Sequence, residues 1–255
     1  MSKEIILEVA NLKKAFGKNQ VLKGVNFHVR KGQIFSLLGS NGAGKTTAVR
    51  IMTTLLGFDE GTVTICGYDI LKESTKVRQC ISLTGQYAAV DEMLTARENL
   101  KLVAKLRHLK GYADRIEELL RMFELTEAAD KLVKTYSGGM RRKVDIAMSL
   151  LGDPQIIFLD EPTTGLDPQS RLKLWGMIEG LKAKGTTIFL TTQYLEEAER
   201  LADYIAILNE GEIVVGGTLA ELKKHMPEWK PVMVETSPSL EDIFLAIVDK
   251  KEAKK

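Results

Sequence analysis

Nine consecutive residues, Gly39, Ser40, Asn41, Gly42, Ala43, Gly44, Lys45, Thr46 and Thr47, satisfy the spacing Gly-x-x-x-x-Gly-Lys-Ser/Thr. The glycines let backbone N–H groups converge on phosphates, the lysine bridges the β- and γ-phosphates, and the Thr46 hydroxyl can ligate Mg2+. An apolar stretch from Ile34 to Leu38 precedes the loop and a helical pattern from Thr46 to Leu56 follows it, the context such a cradle needs. Two carboxylates, Asp160 and Glu161, close the apolar run that begins at Ile156. Beside a nucleotide, Asp160 would hold the Mg2+ shell and Glu161 would orient and deprotonate the attacking water. Taken alone, the same pair followed by Pro162 reads equally as a polar turn. Ser137, Gly138 and Gly139 suggest a second anion site: Ser137 is a natural N-cap, and the glycines leave N–H groups bare at the positive end of a helix running to about Leu151. Without the cradle, that segment is an ordinary cap and turn.

The elements that must carry these residues follow from pattern. Short aliphatic runs alternate with helical periodicity, which implies an α/β fold with a largely parallel sheet. Buried strands are expected at Ile34 to Leu38, Cys80 to Leu83, Ile156 to Leu159, Thr187 to Leu190 and Tyr204 to Leu208. Ile5 to Val9 and Val25 to Val29 read as antiparallel pieces around a turn at Gly17 to Asn19. Between about Gln86 and Gly152 strand signals stop, and Leu100, Val103, Ala104 and Leu106, then Ile116, Leu119, Leu120 and Phe123, recur at helical spacing. An all-helical insertion is expected there, over about 87–152. After Gly217 comes a polar, proline-containing segment and an amphipathic stretch from Leu240 to Val248.

Composition narrows the function classes. The 255 residues, 44% hydrophobic and 27% charged, can bury a sizeable core. With 36 Lys and Arg against 34 Asp and Glu, the net charge of +2 gives no field for a polyanion, so no nucleic acid partner is expected. The basic tail from Lys250 to Lys255 reads as a solvated end. Cys66 and Cys80 sit in apolar stretches without metal-ligand spacing and are expected as reduced core residues. The start MSKEIILEVANL lacks the layout of a secretory signal, and the apolar runs fall far below the roughly 18 residues of a spanning helix. A cytoplasmic chain with at most a peripheral membrane role is the expectation.

The cradle, Gln86, the Ser137 segment, Asp160 with Glu161, and Gly165, Leu166 and Asp167 occur in the order of ABC-type ATPase subunits, which the chain resembles from about residue 5 to 217. The resemblance implies a P-loop NTPase (RecA-like) core with an N-terminal antiparallel β element and an all-helical subdomain, in an ATPase domain spanning 1–217 with a short extension over 218–255. It implies ATP and Mg2+ as cofactors. It also implies that Ser137, Gly138 and Gly139 close over the γ-phosphate held by a second copy, or a homologous ATPase subunit, so that two chains sandwich two ATP molecules. Phe16 is similar to the aromatic that stacks on adenine, although the residue alone also fits a core position. Gln86 resembles the residue that links Mg2+ and water to the helical subdomain, and Asp167 the aspartate that reaches across the seam; a loop amide and a turn carboxylate are the plain alternatives.

Gln193 departs from that pattern, because most members place histidine there. Its amide can donate to the γ-phosphate but carries no proton near neutral pH, which leaves Glu161 as the base. The segments around Gln86 to Asp91, Thr95 to Leu100, Tyr136 to Lys143 and Leu190 to Asp203, with Pro238 to Leu245, resemble the daunorubicin-resistance-type exporter ATPases, here with a shortened C-terminal region. The resemblance implies an integral-membrane permease subunit as partner, received near Gln86 to Leu94, and a location on the inner face of the cell membrane. A soluble ABC-type ATPase serving DNA repair, chromosome structure or ribosomes uses the same motifs, and an ATP sensor without turnover is the non-enzymatic alternative. One cradle per chain, no long heptads and no Cys-x-x-Cys hook count against the soluble types.

Overall fold

A computed structural model describes residues 4–224. The chain opens with two long antiparallel strands, β1 (Ile5–Phe16) and β2 (Asn19–Arg30), joined at Gly17, whose φ of 60° is the left-handed turn conformation that glycine adopts freely. β3 (Ile34–Leu38) leads into α1 (Lys45–Met52), followed by β4 (Glu60–Ile65), β5 (Tyr68–Asp69), α2 (Ser74–Cys80) and β6 (Ile81–Thr84). Helices α3 (Ala96–Leu106) and α4 (Ala113–Met122), two short 3-10 turns and α5 (Gly138–Ser149) separate β6 from β7 (Ile156–Asp160). Then come α6 (Pro168–Ala183), β8 (Thr187–Thr192), α7 (Leu195–Leu201), β9 (Tyr204–Asn209), β10 (Glu212–Gly217) and α8 (Leu219–Lys223).

Two sheets result. One is antiparallel, in the order β2-β1-β4-β5; the other runs β10-β9-β3-β8-β7-β6, parallel except for its β10 edge. Every residue of β3, β7 and β8 is buried, as strands covered on both faces require. Alternation along them divides the interior into layers. Phe35, Phe158 and Phe189 point to the side of the antiparallel sheet and pack with Ala48, Ile51 and Met52 of α1. Their neighbours Ile34, Ile157, Leu159, Ile188 and Leu190 point the other way, onto Leu100, Leu119, Phe123, Val144 and Trp175 of the helices. The phenylalanine layer is continuous, with Phe35 and Phe189 centroids 5.3 Å apart and Phe27 stacked at 5.0 Å on Phe35.

Several expectations change. Cys80 ends α2 instead of starting β6, and Cys66 lies in the turn after β4 with φ 54°; both are free and half-buried, because the apolar character of each stretch comes from the buried Ile65 and Ile81 beside them. The first helix stops at Met52, where Thr54 takes φ 62°, and the last residues of the expected run, Leu55 and Leu56, lie beyond it. α5 stops at Ser149, with Leu150 and Leu151 still buried. Leu106 is 70% exposed, unlike Leu100 and Ala104 on the same helix. β4, β5 and β10 are additions to the expected strands. No helix among the described residues is long and apolar enough to cross a membrane. The amphipathic stretch Leu240 to Val248, the Pro238 to Leu245 segment and the basic tail lie outside the described residues.

Candidate nucleotide site

The loop from Gly39 to Thr47 is held by contacts that only its glycines permit. The Gly39 N–H donates to the Thr192 carbonyl at 3.2 Å, and a Cβ on Gly39 would stand 2.4 Å from the Leu208 carbonyl oxygen. Gly44 caps α1 with φ 110° and supplies no side-chain cap, and the first turn of that helix has no acidic residue. The leading N–H groups of α1 are therefore free to meet an anion. Gly39→Ala is expected to lose more than ~2 kcal/mol of stability, since neither backbone can yield; a thermal melt of the variant checks this, and an unchanged midpoint would contradict it.

The loop, Gln86 and Glu161 enclose a cavity of about 320 Å³ lined by Asn41, Gly42, Gly44, Lys45, Thr46 and Thr47. A slightly larger one, about 390 Å³, opens at the far end of the parallel sheet among Lys31, Arg115 and Lys184, and none of the residues singled out in the sequence line it. In the phosphate cavity Lys45 is 4% exposed and its Nζ donates to the Gly39 carbonyl at 2.9 Å and the Ser40 carbonyl at 3.0 Å. It also pairs with Glu161 Oε1 at 3.1 Å. The other carboxylate oxygen of Glu161 accepts from Thr164 Oγ1 at 3.3 Å and from Gln86 Nε2 at 3.5 Å. Glu161 has φ 48°, which turns the chain sharply after β7, and its N–H donates to the Thr191 carbonyl and hydroxyl, each at 3.1 Å. Non-glycine residues held in this conformation concentrate at functional sites.

Asp160, the last residue of β7, accepts from Thr46 Oγ1 at 3.4 Å and from the Thr191 hydroxyl. A carboxylate facing a hydroxyl across that distance, with an amide oxygen available on Gln86, is a set of hard oxygen donors of the kind Mg2+ takes alongside nucleotide phosphates. Among the described residues no cluster of three or more His, Cys, Asp or Glu that could hold a metal forms.

Other residues singled out in the sequence stand apart from this cavity. Ser137 N-caps α5, accepting from the Met140 N–H at 3.2 Å, with Gly138 and Gly139 in the first turn. Asp167 N-caps α6 through the Ser170 N–H at 2.9 Å, and its hydrogen bonds to Ser170 hold its carboxyl below the usual range. These two caps are neighbours: a Cβ on Gly139 would come within 2.8 Å of Ser170 Oγ. Neither lines the phosphate cavity. Phe16, at the end of β1, is 50% exposed with the Lys14 ammonium 5.4 Å from its ring centroid, so it is not a core residue. Gln193 directly follows β8, half-buried and outside the lining. Thr191 and Thr164, which hold the two carboxylates, were not expected; a hydroxyl ending an apolar strand, as in Thr191, was the available signal.

Comparison with known proteins gives one consistent result. The ABC transporter family model matches residues 22–164. The daunorubicin resistance ATP-binding protein DrrA2 of Streptomyces coeruleorubidus is 49% identical over 214 residues, 83% of this chain and 66% of that protein. The linearmycin resistance ATP-binding protein LnrL of Bacillus subtilis is 41% identical over 85% of this chain and 70% of its own length. The chain thus spans about two thirds of the length of these relatives. Among solved structures, the dimeric post-hydrolysis state of an ATP-binding cassette bound to ADP and Pi superposes with a TM-score of 0.75 at 29% identity, covering 84% of this chain and 99% of that one.

Proposed function

The chain belongs to the ABC transporter family of ATP-binding, ATP-hydrolysing subunits, and from that premise we propose that two copies sandwich two ATP molecules and drive an integral-membrane permease subunit in export. The observation that carries this reading is the separation within one chain: Lys45, Thr46 and Glu161 line one cavity, with Asp160 hydrogen-bonded to Thr46, whereas Ser137, Gly139 and Asp167 cluster outside that lining. A second copy, or a homologous ATPase subunit, supplies the missing half. The ATPase domain covers 1–217 with its helical subdomain at about 87–152, and 218–255 is a short extension.

In this reading the γ-phosphate takes the place of Glu161 against Lys45. Lys45 then bridges the β- and γ-phosphates, and the released Glu161 carboxylate orients and deprotonates the attacking water. Thr46, Asp160 and Gln86 would hold Mg2+, which would supply charge neutralisation on the transferring phosphoryl group. Free N–H groups of α1 and of the loop cradle the phosphates, and Ser137 of the second copy donates to the γ-phosphate, each such donor being worth roughly 3 kcal/mol of transition-state stabilisation. Phe16, exposed at the end of β1, stacks on adenine; Gln193 donates to the γ-phosphate; Asp167 reaches across the seam.

The relatives named above support drug-type export, and the subunit would sit in the cytoplasm against the inner face of the cell membrane. Co-reconstitution with its permease in vesicles tests this. ATP-dependent accumulation of substrate on the side away from the ATPase supports export; phosphate release that no membrane partner alters contradicts it.

A further inference from the structure

We propose that Arg142, together with Asp145, is a positioning residue that fastens the helix carrying Ser137 to the backbone on both sides of Gln86 and Glu161. The inference deepens the ATPase reading and rests on it.

Arg142 is only 4% exposed, and all three of its guanidinium nitrogens donate hydrogen bonds. Nε donates to the Pro162 carbonyl at 2.9 Å, Nη2 to the Asp160 carbonyl at 3.3 Å, and Nη1 to the Gly85 carbonyl and to Asp145 Oδ2, the last at 3.3 Å. Asp145, equally buried, accepts from the Ala89 N–H on Oδ1 at 3.2 Å. The chain positions gripped are therefore those immediately before Gln86, before Glu161 and after Glu161, with Ala89 closing the loop behind Gln86. No bond from Arg142 reaches the Gly39 to Thr47 loop. Ser137 caps the same helix about one and a half turns earlier. Any tilt of α5 as its cap meets phosphate is passed, through one rigid planar fork, to the two side chains that handle water.

The fold does not need this pair for its own sake. Burial lowers the Arg142 pKa and pushes Asp145 up to about 6, each against the pull of its partner. Buried ion pairs of this kind are often replaced by apolar residues at no loss of stability. A costly pair whose hydrogen bonds all end on backbone flanking the reacting side chains is explained by placement of those side chains.

The test uses the full chain, with phosphate release measured across an ATP titration and unfolding midpoints measured in parallel. Arg142→Met leaves Asp145 buried without its cation, so its midpoint falls. Arg142→Met with Asp145→Met removes both charges, and its midpoint returns close to that of the wild type. In both, kcat falls on the order of 10²-fold, the effect of a small misplacement of reacting groups. The KM for ATP moves by less than about threefold, because the phosphate loop is untouched. Arg142→Lys keeps a charge for Asp145 but not the fork, and gives a stable chain with an intermediate kcat. A double variant with restored stability and wild-type kcat, or a loss that falls on KM, overturns the proposal while leaving the ATPase reading in place. Absence of turnover in the wild-type chain removes the ATPase reading, and the proposal with it.

Discussion

Glu161→Gln is expected to lower turnover by roughly 10²- to 10⁴-fold, the usual share of a general base, while ATP stays bound. The substitution keeps the shape of a side chain that is 7% exposed and hydrogen-bonded to Thr164 and Gln86. It removes the charge that pairs with Lys45. Because the γ-phosphate must displace that contact, the amide variant should bind ATP at least as tightly as the wild type. The loss falls on kcat alone. Rapid-mixing measurement of phosphate release, alongside equilibrium binding of ATP, separates the two. Turnover equal to the wild type would take Glu161 out of the chemistry.

Lys45→Met is expected to fail at an earlier step. Truncating one partner of a buried, hydrogen-bonded charge pair costs ~2–5 kcal/mol of binding. The lower part of that range applies here, roughly 10²-fold in ATP affinity, because Lys45 already has Glu161 and the Gly39 and Ser40 carbonyls as partners. Nucleotide binding exchanges those partners for phosphate oxygens instead of creating contacts from nothing. Calorimetric titration should show a larger loss for ATP than for ADP, since in the proposed reading the lysine bridges the β- and γ-phosphates. The variant should also melt earlier, with Glu161 left buried beside no cation. An ATP affinity unchanged from the wild type would contradict the assignment.

The contrast between what the sequence disclosed and what it concealed has a physical basis. β3, β7 and β8 were legible because strands buried on both faces are written as unbroken apolar runs, and the loop and Asp160 with Glu161 are attached to their ends. β4 and β10 were not, because they expose alternate residues and mix Thr, Gly and Glu with Val and Ile. Cys80 was drawn into a strand by Ile81, its apolar neighbour. Side chains that belong to a motif could be singled out from the sequence, whereas those that hold the motif in place could not. Arg142 is the clearest case: its carbonyl partners lie 57, 20 and 18 residues away, and a carbonyl has no letter in a sequence. Only its i, i+3 spacing from Asp145, on the inner face of α5, hinted that two charges were buried together.

In the proposed arrangement a single chain is half of a catalytic site, because Ser137, Gly139 and Asp167 do not line the phosphate cavity. Sedimentation of the Glu161→Gln chain, in which ATP persists, tests this most directly. With ATP and Mg2+ the particle should contain two chains, and with ADP or no nucleotide it should contain one. Adding Ser137→Arg, which places a bulky cation where the cap must meet phosphate, should keep it at one chain with ATP still bound. A Glu161→Gln chain that binds ATP and Mg2+ yet remains single would contradict the composite site.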